Sequence, residues 1–208
     1  MTRVNNPNYK KYMPAHAQVN RKKLYFFLAF SKSIRYLYYR ERLKGSMLVY
    51  HGSNHVVKEP RIISGSKFLD FGTGFYTTTN KTQAERWAQK VSVRREPKTR
   101  FISIYEVDEN YKNVLNVINF SEPNAEWLKF VCACRCGKDA NRYYDMVLGP
   151  VANDNVYSTV VLFEKGVYDE TETLKRLKIQ PLYNQVLFHT EKALEFCKYV
   201  DFYELTGI

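Results

Sequence analysis

Cysteine is scarce in this 208-residue chain, and its four copies are badly spaced for a disulfide-built fold. Cys132, Cys134 and Cys136 crowd into five residues and Cys197 stands alone, which fits neither a disulfide framework nor a standard zinc spacing. Unreactive thiols in a reducing cytoplasm, and no metal site, are therefore expected; on a helix, Cys132 and Cys136 would share a face as small apolar residues. Long apolar runs are also missing. The run Leu24 to Phe30 falls far short of the about 20 residues that cross a bilayer, and it lies too far in, without a cleavage site, to be a secretory signal. These absences predict a cytoplasmic protein with no membrane span. Repeats and low-complexity tracts are lacking. So is a strand followed by Gly-x-Gly-x-x-Gly and a later acidic residue, so the sequence gives no support to a Rossmann dinucleotide site.

Acidic residues are nearly absent from the first 45 positions, which hold eleven Lys/Arg against one acid, whereas residues 46–208 hold twenty-one against twenty. The net charge of +11 is thereby assigned to a basic N-terminal arm and helix, residues 1–45, ahead of a domain at 46–208. A cationic segment favours an anionic macromolecule, nucleic acid among the candidates. Its sequence from Arg21 to Leu43 has helical spacing, with Leu24, Phe27, Leu28, Ile34 and Tyr38 on one side. Tyr36 and Tyr39 stand among Arg35, Arg40 and Arg42, a pattern that suits either packing on the domain or contact with phosphates and bases.

Aromatic residues are abundant, with seventeen Tyr and thirteen Phe, and 45% hydrophobic content suffices for one good core. Several short strands interrupted by helices are expected without regular alternation, which favours an α+β fold. Strands are read at Leu48–His51, Tyr76–Thr79, Phe101–Val107, Tyr144–Leu148 (closed by Gly149-Pro150) and Gln185–Phe188, with Val156–Phe163 continuing the sheet. Helices are read at Lys81–Val91, Asn124–Cys136, Asp169–Leu177 and Thr190–Tyr199. Asn80 with Gln83 forms a capping-box pattern.

The centre of the pattern is Asp70-Phe71-Gly72-Thr73-Gly74-Phe75-Tyr76. Glycine at 72 and 74 allows a sharp turn and a close approach, and Tyr76 then starts a strand. A turn entering a core strand is the plain reading; a ring displayed for a planar ligand is the functional one. Upstream, Leu48-Val49-Tyr50-His51-Gly52-Ser53 is an apolar strand ending in a polar triplet. Trp87 lies eleven residues after Tyr76 inside a helix, and Asn184-Gln185-Val186-Leu187-Phe188 is a late strand with a polar start.

This ordered set, over about residues 47–205, resembles the ADP-ribosyltransferase superfamily in its diphtheria-toxin-like and poly(ADP-ribose) polymerase branch. It is most similar to an uncharacterised bacterial ADP-ribosyltransferase-like domain family. The resemblance implies a split β-sandwich of two small antiparallel sheets with flanking helices, and NAD bound between them as ADP-ribose donor. It implies that His51 donates to the adenosine ribose, that Gly52 and Ser53 bind the carboxamide, and that Tyr76 and Trp87 sandwich the nicotinamide. Phe71 and Gly72 would shape the edge of that pocket, with Arg61 and Lys67 near the pyrophosphate. Gln185 occupies the position of the branch's glutamate. Glutamine can orient a ribose but cannot act as a base, so single transfer is expected rather than chain elongation. Asp145 and Asp154 are candidate acidic substitutes. The implied function is a toxin-like mono-ADP-ribosyltransferase in a toxin–antitoxin or phage-defence setting, with nucleic acid or protein as target and an antitoxin as partner. The alternative is an inactive module of the same fold that binds NAD, ADP-ribose or nucleic acid.

Overall fold

The computed structural model describes residues 45–63, 69–138, 140–150, 154–177 and 184–206. The expected basic helix and Lys67 lie outside them. In chain order the elements are β1 (Ser46–Ser53), β2 (Phe75–Thr78), α1 (Lys81–Arg94), β3 (Phe101–Asp108), α2 (Tyr111–Val114), β4 (Val117–Asn119), α3 (Ala125–Arg135), β5 (Met146–Pro150), α4 (Asp154–Glu164), α5 (Glu170–Leu177), β6 (Asn184–Phe188), α6 (Glu191–Leu194) and β7 (Cys197–Glu204). The fold is α+β. The expected pair of small antiparallel sheets needs correction, because the described strands join in one seven-stranded mixed sheet, ordered β4-β5-β6-β2-β1-β3-β7. β4 and β5 are parallel, and every other pair is antiparallel.

The sheet is nevertheless uneven. β1 and β3 register over eight residue pairs, from Ser46↔Asp108 to Ser53↔Phe101, and β2 and β6 over four. Between these two limbs, β1 and β2 register at one pair, Tyr50↔Thr78. Strand alternation sends Val49, Phe75 and Phe188 to one side, into a cluster with Tyr105 and Val107. On the other side Leu187 and Val147 pack with Trp127, Leu128, Val156 and Val160, while Tyr50 and Ile102 pack on Ala84 and Ala88 of α1.

Two expected elements change type. Val156–Phe163 is helix α4 rather than strand, since Val156 and Val160, four apart, bury on one face against the second cluster. The helix expected from Thr190 does start there, with the Thr190 hydroxyl accepting from Ala193 N at 3.2 Å, but it ends at Leu194. The Tyr-, Phe- and Val-bearing stretch that follows pairs with β3 instead, as β7. The strand expected to close before Gly149 runs through it to Pro150. Asn80 caps α1 by accepting from Gln83 N at 3.0 Å, but the Asn80 N–H is taken by the Thr78 hydroxyl, not by Gln83. Among the described residues, no helix is long and apolar enough to cross a membrane.

Candidate functional site

The glycine turn is held from three directions. Gly72 takes φ +78°, and its N–H donates to Leu69 O at 3.0 Å. The Tyr76 hydroxyl folds back onto its own turn, donating to Gly72 O and accepting from Phe71 N at 3.3 Å. Burial, with Asp70 nearby, pushes the Tyr76 phenol well above its ordinary pKa, so it stays a neutral donor. From outside the motif, Asn141 Nδ2 donates to Phe71 O at 2.8 Å, and His189 Nδ1 donates to Thr73 O at 2.7 Å. Asn141 and His189 carry no spacing signal, because each meets the turn across 68 or more positions of sequence. Phe71 is fully buried and its ring meets Phe120 and Phe130. It anchors the turn and has no open face for a ligand.

His51 sits where the sheet comes apart. One residue past Tyr50↔Thr78, its ring spans the seam and Nδ1 lies 2.7 Å from Tyr76 O, with the ring 4.7 Å from that of Phe75. A side-chain bond thus replaces the next rung of the ladder. A carbonyl oxygen only accepts, so Nδ1 carries the proton and neutral Nε2 keeps a lone pair. The expected role of His51 as donor to a ribose therefore reverses: in this tautomer Nε2 is an acceptor. Burial holds the imidazole below its ordinary pKa, against the opposing pull of the Tyr76 carbonyl.

The sign of that shift makes a prediction. Between the folded pKa and about 6.5, the unfolded chain binds a proton at His51 that the folded chain refuses, so stability falls as pH drops through this window. Denaturation midpoints from pH 7 down to 5 should decline more steeply in the wild type than in His51→Gln. Parallel curves would mean that His51 titrates alike in both states.

Gly52 is pressed against α1. A Cβ there would lie 2.1 Å from Ala84 O and 2.8 Å from Ala88 N. This contact sets α1 directly on the His51-Gly52-Ser53 end of β1. Trp87 immediately precedes Ala88, on the flank of a helix that buries Ala84, Ala88 and Ser92. Its side chain is 51% exposed and joins none of the three clusters, so the indole is not a core residue and its ring is open to contact. Ser53 is half-buried, with its hydroxyl accepting from His55 N at 3.4 Å.

Gln185 is half-buried in β6, registered to Thr78 on one side and Gly149 on the other. The row Gln185–Thr78–Tyr50 spans two strand spacings, about 10 Å, to the seam. Alternation puts Gln185, Thr78 and Tyr76 on one side of the sheet and His51, with Val49 and Phe75, on the other, so the His51 ring does not face Gln185. Thr78 is buried, and its hydroxyl lies 2.7 Å from Gln83 Oε1 and 2.6 Å from Asn184 O. Having one proton, it can donate to one of them at a time.

The carboxylate of Asp145 is not a substitute acid at the seam. Its oxygens accept from Asn116 N at 3.0 Å and Thr190 Oγ1 at 2.9 Å, with Lys192 Nζ at 3.8 Å, which ties β4 and α6 together. The Asp154 side chain lies outside the described residues. Glu191 is a first-turn charge of α6, and Arg61 is exposed beside Glu59. Cys134, not Cys132 with Cys136, is the buried member of the cysteine cluster; Cys136 caps α3 and is exposed. Burial pushes the Cys132 and Cys197 thiols up to about 12. Among the described residues, no three His, Cys, Asp or Glu side chains gather as metal ligands.

The model of a family described as "Protein of unknown function (DUF3990)" matches residues 47–199. No curated protein and no solved structure matches the chain.

Proposed function

The chain belongs to the DUF3990 family, and we propose that it is an NAD-dependent mono-ADP-ribosyltransferase whose site is the opening at the β1–β2 seam. The observation that carries this reading is the seam itself. Two sheet limbs joined at one residue pair, with His51 bridging them from the Phe75 side, Gly52 bringing α1 alongside, and Tyr76 and Gln185 on the other side, bring residues far apart in sequence to one seam.

The donor set fits NAD. Nε2 of His51 accepts from a ribose hydroxyl, its orientation fixed by the Nδ1 bond to Tyr76 O. Backbone groups of Gly52 and the Ser53 hydroxyl serve the carboxamide. The exposed indole of Trp87 supplies one stacking face, and Tyr76, its hydroxyl already committed to the turn, supplies the other. When bound, NAD supplies an ADP-ribosyl group whose bond to nicotinamide opens with developing positive charge. Orientation by fixed hydrogen bonds and rings is what the chain contributes to that step. Gln185 orients the ribose without accepting a proton, so the acceptor must be a good nucleophile and transfer is single. A toxin-like effector restrained by an antitoxin is the setting that suits such an enzyme.

A specific observation favours a second reading, an inactive binding module. Gln185 offers no charge, and both carboxylate oxygens of Asp145 are already engaged. Labelled NAD incubated with the protein and cell lysate, split into protein and nucleic-acid fractions, separates the two. The enzyme labels one fraction and releases nicotinamide; the module binds NAD and labels neither. Gln185→Ala should slow turnover about 10²-fold. Gln185→Glu, nearly equal in volume, should retain single transfer and raise NAD hydrolysis. Unchanged turnover in both variants would remove Gln185 from the site.

A further inference from the structure

We propose that the outward face of α1, with the loop leading to β3, binds a single-stranded nucleic acid. Residues 81–100 carry seven Lys/Arg against two Glu, net +5, while the rest of 46–208 carries fourteen against eighteen, net −4. The nearly neutral domain is therefore strongly polarised, and the basic N-terminal arm is not its sole cationic feature. On α1, the side opposite Ala84, Ala88 and Ser92 presents Arg86, Lys90 and Arg94, four residues apart and so stacked in one exposed stripe about 12 Å long. The stripe continues into exposed Arg95 and Lys98, the latter paired with Glu96 at 3.2 Å.

A row of cations alone would suit any polyanion. The apolar groups set within this one narrow the choice. Val93 is 72% exposed on the same face, and the 51% exposed indole of Trp87 flanks the stripe. An accessible aromatic beside a basic track is the arrangement that binds unpaired strands, because the cations follow the phosphates while a base stacks on the ring. A duplex offers no free base face, and an acidic protein has no base to stack. The surface binds its partner whether or not NAD is turned over, but the transferase reading gives the same Trp87 indole to nicotinamide, so in that reading a stacked base and NAD compete for the ring and binding is measured without NAD.

The test uses the full chain without NAD and a fluorescein-labelled oligothymidylate, titrated over a range of salt concentrations. Arg86→Gln/Lys90→Gln/Arg94→Gln is compared with Lys58→Gln/Lys138→Gln/Lys165→Gln, which removes the same charge from exposed positions elsewhere. The α1 variant should bind about tenfold or more weakly near physiological salt, with a log–log salt slope shallower by about 2, as expected for three lost single-strand phosphate contacts. The control should resemble the wild type. Trp127 is fully buried, so quenching of tryptophan emission by the unlabelled strand reports stacking on Trp87. Equal loss in both triple variants, or none in the α1 variant while circular dichroism stays native, overturns the proposal. So does equally tight binding of a duplex of the same length or of polyglutamate.

Discussion

Gly52→Ala is expected to destabilise the domain by about 3 kcal/mol, at the upper end for an overpacked site. The added methyl has nowhere to go. At 2.1 Å from Ala84 O and 2.8 Å from Ala88 N it meets helix backbone rather than the tip of a side chain that could swing aside. Either α1 lifts from β1 or the strand bends, and both open the cluster of Tyr50, Ala84, Ala88 and Ile102. Denaturant unfolding gives the magnitude, with half-buried Ser53→Ala as a neighbouring control that should change stability by less than about 0.5 kcal/mol. A Gly52→Ala variant as stable as the wild type would mean that α1 does not rest on β1 in this way. In the transferase reading the same variant also loses NAD binding, because Trp87 moves with the helix.

The second large effect is on turnover. His51→Ala should lower NAD consumption about 10²-fold or more, equivalent to about 2.7 kcal/mol of lost transition-state stabilisation. Stability should fall by only about 1 kcal/mol, the ordinary worth of one hydrogen bond. The separation of the two magnitudes is the point of the measurement. A ring that merely closed the seam would cost stability and leave turnover of the surviving folded protein intact. His51→Gln sharpens the comparison, since its amide N–H can still reach toward Tyr76 O while the aromatic acceptor Nε2 is gone. Turnover within threefold of wild type in both variants would remove His51 from the chemistry and leave it as a bridge.

Much of the local structure follows from residue order. Asn80, Asn124 and Thr190 cap helices because each side-chain oxygen accepts from a backbone N–H three residues on, an interaction complete within one turn. The apolar, β-branched and aromatic makeup of Phe101–Val107 and of Leu48–His51 predicts strands, and both form. The glycines of the turn do what their spacing suggests, with Gly72 at positive φ. Errors fall where two local signals compete. Val156–Phe163 carries β-branched residues, yet four-residue spacing of buried valines carries it into a helix once α3 lies beneath. The stretch after Leu194 could extend a helix, and becomes β7 because β3 offers a free edge.

What the sequence determined by itself is the α+β class, the caps, the turn, and the set His51, Tyr76, Trp87 and Gln185 in order along the chain. It could not decide how those residues face one another. That Phe71 is spent on the core, that Trp87 is not, and that Asn141 and His189 hold the turn depend on contacts across tens of residues. The tautomer of His51 is likewise a tertiary fact, because only the approach of the Tyr76 carbonyl across a parted sheet fixes which nitrogen keeps the proton. Periodicity and capping act over one turn or one strand and are written locally. A seam between strands, and the charge polarity of a helix face, exist only once the chain has closed on itself.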